Sequence, residues 1–134
     1  SGIATHASSE WILACGMAGH ILLMVPASVL QQTADTIDAK SSTIQLKLPE
    51  GSHPYTAIFA PDGKTAFVSL WGASQVAVVD MVKQQVRTFF ATASHPTEML
   101  LGDEEGERLF VACSDQNSVV SIRTQDGKTL ETLR

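Results

Sequence analysis

The stretch His53-Pro54-Tyr55-Thr56-Ala57-Ile58-Phe59-Ala60-Pro61-Asp62-Gly63-Lys64-Thr65-Ala66-Phe67-Val68-Ser69-Leu70, continuing to Gln75-Val76-Ala77-Val78-Val79-Asp80, decides the fold because it recurs. Laid over the stretch that begins His95-Pro96-Thr97-Glu98-Met99, it puts Pro54 on Pro96, Gly63 on Gly106, Phe67-Val68 on Phe110-Val111 and Val76 on Val119. The offset is 42 residues at the His-Pro end and 43 after the turn Gly102-Asp103-Glu104-Glu105-Gly106, one residue longer than Ala60-Pro61-Asp62-Gly63. A degenerate copy comes first: Ile12-Leu13-Ala14-Cys15 aligns with Phe67-Val68-Ser69-Leu70, and Ile21 with Val76. Short strands and turns repeating about every 40–45 residues predict an all-β chain, a β-propeller of four-stranded antiparallel blades.

About three blades are present, so residues 1–134 read as a partial propeller. Blade 1 covers about 1–50 with an insert at 26–42, blade 2 about 53–92 and blade 3 about 95–134. In blade 2 the expected strands are 56–60, 65–70, 75–80 and 85–90. Pro61-Asp62-Gly63-Lys64 between the first two is a tight turn, with Pro presetting φ and Gly accepting positive φ. Blade 3 repeats this at 98–101, 107–113, 118–123 and 129–133, closing its last hairpin on Asp126-Gly127. Blade 1 gives 2–5, 11–15, 20–25 and 43–48, and its polar insert has a helical turn or a surface loop at 29–34. In the outermost strand of blade 2, Val86, Thr88 and Phe90 share one face. Phe89 breaks that alternation by falling with Gln85 and Arg87.

A formal net charge of −5 argues against non-specific nucleic-acid binding, which needs a basic footprint. Ile21-Leu22-Leu23-Met24-Val25 is the most apolar run and is strand-sized, far short of the roughly 20 residues of a spanning helix. No signal peptide is legible in this stretch. In the repeat alignment Cys15 and Cys113 both fall on Leu70, two blades apart, and read as small buried apolar residues rather than as a disulfide.

These residues resemble the Tyr-Val-Thr-Asn (YVTN) repeat family of bacterial and archaeal β-propellers. The family pattern places a Pro before the first strand, then Ser-Pro-Asp-Gly, Tyr-Val-Thr-Asn and Val-Ser-Val-Ile-Asp. Here it reads Pro54, Ala60-Pro61-Asp62-Gly63, Phe67-Val68-Ser69-Leu70 and Val76-Ala77-Val78-Val79-Asp80, then Pro96, Phe110-Val111-Ala112-Cys113 and Val119-Val120-Ser121-Ile122. The match runs over 53–134 and fades over 1–50. The Asn that ends the second strand is replaced by Cys15, Leu70 and Cys113, and the third-strand Asp is kept only as Asp80. The resemblance implies a periplasmic, secreted or cell-surface protein in which such blades bind or scaffold without catalysis of their own. The His-Pro approach is also similar to that of propellers joined to alkaline-phosphatase-like phosphoesterases.

His53 and His95 hold equivalent positions before two first strands, which places them on one face of the disc near its centre. One reading makes them metal ligands, since imidazole suits zinc, copper or iron. The favoured reading has each pack beside its Pro, fixing an extended approach to the strand. Trp71, in the loop after the second strand, is either a partner anchor or packing between blades. His6 and His20 read as surface loop positions, and Asp103-Glu104-Glu105 as a solvated turn rather than a calcium site. Neither a nucleophile elbow nor a phosphate loop nor an HExxH motif is found, and no catalytic or metal residue and no cofactor is assigned.

The expected function is therefore a non-catalytic binding or interaction scaffold, with His53, His95 and Trp71 as candidate binding residues. The alternative is the propeller part of an enzyme, either phosphoesterase-linked or a lactonase-like hydrolase. For the latter only Glu98 supplies a carboxylate at the start of a first strand. Expected partners are a protein or small molecule at the propeller face. Three blades do not close a disc of roughly four to eight, so further blades of the same chain or a second copy are expected beside them.

Overall fold

The computed structural model describes residues 2–16, 18–31 and 43–134. Twelve strands form three antiparallel sheets, each ordered as its strands follow in the chain. Blade 1 is β1 (Ile3–Ala4), β2 (Trp11–Cys15), β3 (Ile21–Pro26) and β4 (Ile44–Lys47). Blade 2 is β5 (Pro54–Phe59), β6 (Thr65–Leu70), β7 (Gln75–Asp80) and β8 (Gln85–Ala91). Blade 3 is β9 (Pro96–Leu101), β10 (Arg108–Cys113), β11 (Ser118–Arg123) and β12 (Thr129–Leu133). These are three blades of a β-propeller, as the repeat predicts. In the insert a 3-10 helix spans Ala27–Gln31; residues 32–34 of the helical turn expected at 29–34 lie outside the described residues.

Two cores glue the blades together. Leu13, Cys15, Leu22 and Met24 of blade 1 pack on Phe59, Val68, Leu70 and Val79 of blade 2. Phe67, Val76, Val78 and Phe90 on the other side of blade 2 pack on Met99, Leu109, Val111 and Ile122 of blade 3. This explains the continuous apolar reading of β7. A strand covered on both faces has no solvent side, so Val76, Ala77, Val78 and Val79 are all fully buried. In β3, where only one face is covered, Leu22 and Met24 are fully buried and Ile21, Leu23 and Val25 are half-buried.

The degenerate first copy needs a correction of one residue. The Ala27 amide bonds Glu10 O just as the Met81 amide bonds Lys64 O and the Thr124 amide bonds Glu107 O. Trp11 thus matches Thr65, Leu13 matches Phe67 and Cys15 matches Ser69, not Leu70. A one-residue slip flips every side chain to the other face. Cys15 accordingly faces blade 2, whereas Cys113 faces back from blade 3 onto blade 2, in the other core. The apolar residues of β2 form nearly a continuous run, so periodicity alone did not fix the parity.

Phe89 also has a physical reason. Val78 pairs with Thr88 but Val79 pairs with Val86, leaving Arg87 as the extra residue of a β-bulge. Parity therefore switches at Arg87. Val86 packs toward blade 1 and Phe90 toward blade 3, although they look alike in a strict alternation. Blade 3 repeats the bulge at Leu130, between the pairs Ser121–Glu131 and Ile122–Thr129.

The outer faces of the end blades stay open. Ile3 is 77% exposed beside half-buried Ile21 and Leu23, and Leu100 is 68% exposed beside half-buried Phe110 and Val119. Among the described residues no helix is long and apolar enough to cross a membrane.

Candidate binding face

Blades 2 and 3 each begin with a loop that runs onto the innermost strand. In blades 2 and 3 the last loop residue is a histidine in the left-handed region, with φ of 46° at His53 and 56° at His95. The extended approach expected of a residue before Pro is therefore corrected. Histidine is among the residue types enriched in this region, and the conformation costs roughly 1–3 kcal/mol that surrounding contacts must offset. Those contacts are visible. The His53 carbonyl accepts from the Trp71 amide at 3.1 Å, and the His95 carbonyl from the Ser114 amide at 3.0 Å. Each histidine is thus tied to the end of the second strand of its own blade.

The same bonds deliver Trp71. Its indole stacks on the His95 ring, centroids 4.0 Å apart and planes 25° apart. It meets His53 edge-on, at 6.3 Å and 74°. The structure thus brings His53, Trp71 and His95 together into one aromatic row across the boundary of blades 2 and 3. His95 Nδ1 lies 3.9 Å from Asp115 Oδ1, in the loop of blade 3 that matches the Trp71 loop. Asp115 was not a sequence candidate; its match to Gly72 in the repeat could have pointed to it.

Gly72 is what lets the loops close up. Its amide donates to Ser52 O at 2.9 Å, and a Cβ there would sit 2.0 Å from Gly51 O and 2.8 Å from His53 Cδ2. The loop then turns at Ser74, with φ of 53°, as its counterpart turns at Asn117, with φ of 46°. Both histidine rings and the indole are half-buried, so the row is part of the surface.

The remaining candidates lie elsewhere. His6 sits on the opposite face and is more than a loop decoration: its Nδ1 accepts from the Ser8 amide at 3.2 Å and its ring lies against Phe59. The His20 carbonyl accepts from the Leu48 amide at 2.8 Å. Glu98 is exposed on β9, beside Leu100 and Phe110 on the open side of blade 3. Asp103 Oδ1 accepts from the Glu107 amide at 2.7 Å, a turn-holding bond like those of Asp62 to Lys64 and Asp80 to Lys83. Among the described residues no group of three or more His, Cys, Asp or Glu side chains converges as a metal site.

No protein-family model matches the chain, and no curated protein matches it. Among solved structures it is similar to hydrazine synthase of Kuenenia stuttgartiensis, with a TM-score of 0.79 and 19% identity. The likeness covers 98% of this chain and 34% of that one, so this chain spans about a third of that protein's length. At this identity the likeness establishes the fold.

Proposed function

We propose that the chain is a binding module of YVTN-repeat type whose recognition surface is the row His53–Trp71–His95. The observation that carries this reading is the convergence of the three residues on an exposed face, with both histidines held in a costly backbone conformation. Such strain clusters at functional positions. A half-exposed Trp flanked by two imidazoles suits an aromatic or apolar anchor on a protein partner, since Trp is favoured at binding hot spots. The module works outside the cytoplasm, with further blades or a second copy covering Ile3 on one side and Leu100 on the other.

The test is selection of a displayed random-peptide library on the wild-type chain, followed by binding to a His53→Ala/Trp71→Ala/His95→Ala variant of unchanged circular dichroism. Peptides that bind the wild type and lose affinity for the variant support the reading. Failure to enrich any peptide, or enrichment of peptides indifferent to the substitutions, overturns it.

A second reading makes the chain the propeller part of a larger enzyme. It is favoured by the neighbour's name, which is that of a synthase of nearly three times the length. Turnover of a lactone or a phosphate monoester by this chain itself would support it over the first.

A further inference from the structure

We propose a second binding site on the opposite face, in the groove between blades 2 and 3, for a small zwitterion. The ligand class is an amino acid or short peptide that offers a carboxylate to Arg87 and an ammonium to Glu105 and Glu107. The groove holds about 420 Å³, within the roughly 300–1,000 Å³ of small-molecule sites. It opens where β6 begins, at the end remote from Trp71.

The repeat supplies an internal control. A groove forms at both blade boundaries on this face, and each is lined by charges of both signs, but the side chains at two matching positions differ. At the first boundary these positions are Trp11 and Met81, which line that groove and also pack into the apolar core between the blades. At the second, the equivalent positions are Thr65 and Thr124, and both line the groove. Replacing Trp and Met by two hydroxyls gives up apolar burial at a packed boundary. In its place stands a recess of mixed walls, with Ala60 and Phe67 beside the charged side chains and Thr124 Oγ1 anchored on Gly106 O at 2.6 Å.

The charges are placed by backbone irregularities. Arg87 is the extra residue of the bulge in β8, and bulges re-aim side chains beside functional sites. Glu105 stands in the first turn of blade 3, which is a residue longer than that of blade 2. Among the described residues the side chains of Arg87, Glu105 and Glu107 make no ion pair or hydrogen bond. Arg123, by contrast, is held by Asp126 at 2.7 Å. Uncommitted charges of both signs around one recess match a ligand carrying both signs.

The test is an amide-shift titration of the 134-residue chain with L-alanyl-L-alanyl-L-alanine, its N-acetyl form and its C-terminal amide. The expected result is a millimolar or tighter Kd, with shifts centred on residues 60–65, 105–107 and 123–125. Amidation of the peptide and Arg87→Ala should each weaken binding about tenfold, the loss of one charge-assisted hydrogen bond. Acetylation, or Glu105→Gln with Glu107→Gln, should weaken it several-fold, and Trp71→Ala should leave it unchanged. Absence of shifts at about 10 mM peptide, ten times a millimolar Kd, overturns the proposal. So does binding that is indifferent to Arg87→Ala or equal for the acetylated peptide. Since Trp71→Ala touches only the other face, failure here is distinguishable from failure of the His53–Trp71–His95 reading.

Discussion

The His95 imidazole lies over the Trp71 indole at 4.0 Å between centroids, so a side chain from the loop of blade 2 closes against the residue that leads into blade 3. The contact ties two repeats together on the face that carries the starts of their innermost strands, beyond the apolar core that joins their sheets.

The first prediction concerns that stack. Aromatic pairs add about 0.5–1.5 kcal/mol beyond area burial. His95→Ala should lower the unfolding free energy by an amount in that range in a denaturant titration. In a Trp11→Phe background, which leaves Trp71 as the remaining tryptophan, the same change should red-shift the emission maximum as the indole loses its cover. An unshifted spectrum would mean that the stack does not form in solution.

Gly72 should be intolerant of any side chain. The added Cβ meets the Gly51 carbonyl, a backbone atom that cannot rotate aside, and then the His53 ring. Gly72→Ala should therefore cost about 1–3 kcal/mol, the usual range for overpacking. It should also displace His53 from Trp71, visible as shifts of both ring resonances. Stability equal to wild type would show that the two loops are not in contact.

Ser69 carries the polar link between inner strands. Both β5 and β9 bulge near their starts, between Pro54 and Ala57 and between Pro96 and Met99. Bulges leave backbone groups outside the ladder. The fully buried Ser69 Oγ accepts from the Thr56 amide at 3.2 Å and donates to the Thr97 carbonyl at 2.6 Å. Ser69→Ala strands both, and an unsatisfied buried group costs about 1–3 kcal/mol. Calorimetry should show a matching loss of stability; a neutral effect would mean that water replaces the hydroxyl.

What was legible from sequence divides by mechanism. The blades were, because Pro61-Asp62-Gly63 and Asp126-Gly127 are turn chemistry and β6, β7 and β11 are rich in β-branched and aromatic residues. The row of His53, Trp71 and His95 was half legible: each residue was singled out, but not their contact. That contact depends on left-handed backbone at both histidines, and a residue before Pro reads by default as extended. The parity of β2 was not legible, because Ile12, Leu13 and Ala14 are apolar on both faces. Arg87 was not either. A bulge is set by how two strands pair, and the sequence of β8 alone carries no mark of it.

Cys15 and Cys113 should be chemically silent until the fold opens. Burial pushes the Cys15 thiol up to about 12 and raises that of Cys113 as well. The thiolate is the reactive form, so attack at neutral pH is suppressed. The two lie in different inter-blade cores, which also keeps them from pairing. Ellman's reagent should leave the native chain unmodified and label both cysteines in denaturant. Rapid labelling of either in native buffer would contradict the packing described.

The last prediction is a pH dependence at the edge of blade 3. Asp126 accepts from Arg123 Nε at 3.0 Å and from its terminal nitrogen at 2.7 Å, and its Oδ1 also takes the Lys128 amide at 3.1 Å. These bonds, the arginine's first, hold its carboxyl at about 2 against an ordinary 3.8. A carboxyl whose folded pKa lies below its unfolded one binds fewer protons when folded. Its stabilising contribution is therefore complete above the unfolded value and is lost as pH falls through the folded one. The difference in melting temperature between wild type and Asp126→Asn should be constant above about pH 5 and shrink toward pH 2. The pair is solvent-exposed, so added salt should shrink it too. A difference that persists at the acid end would assign the effect of Asp126→Asn to turn geometry around Gly127 and not to the charge.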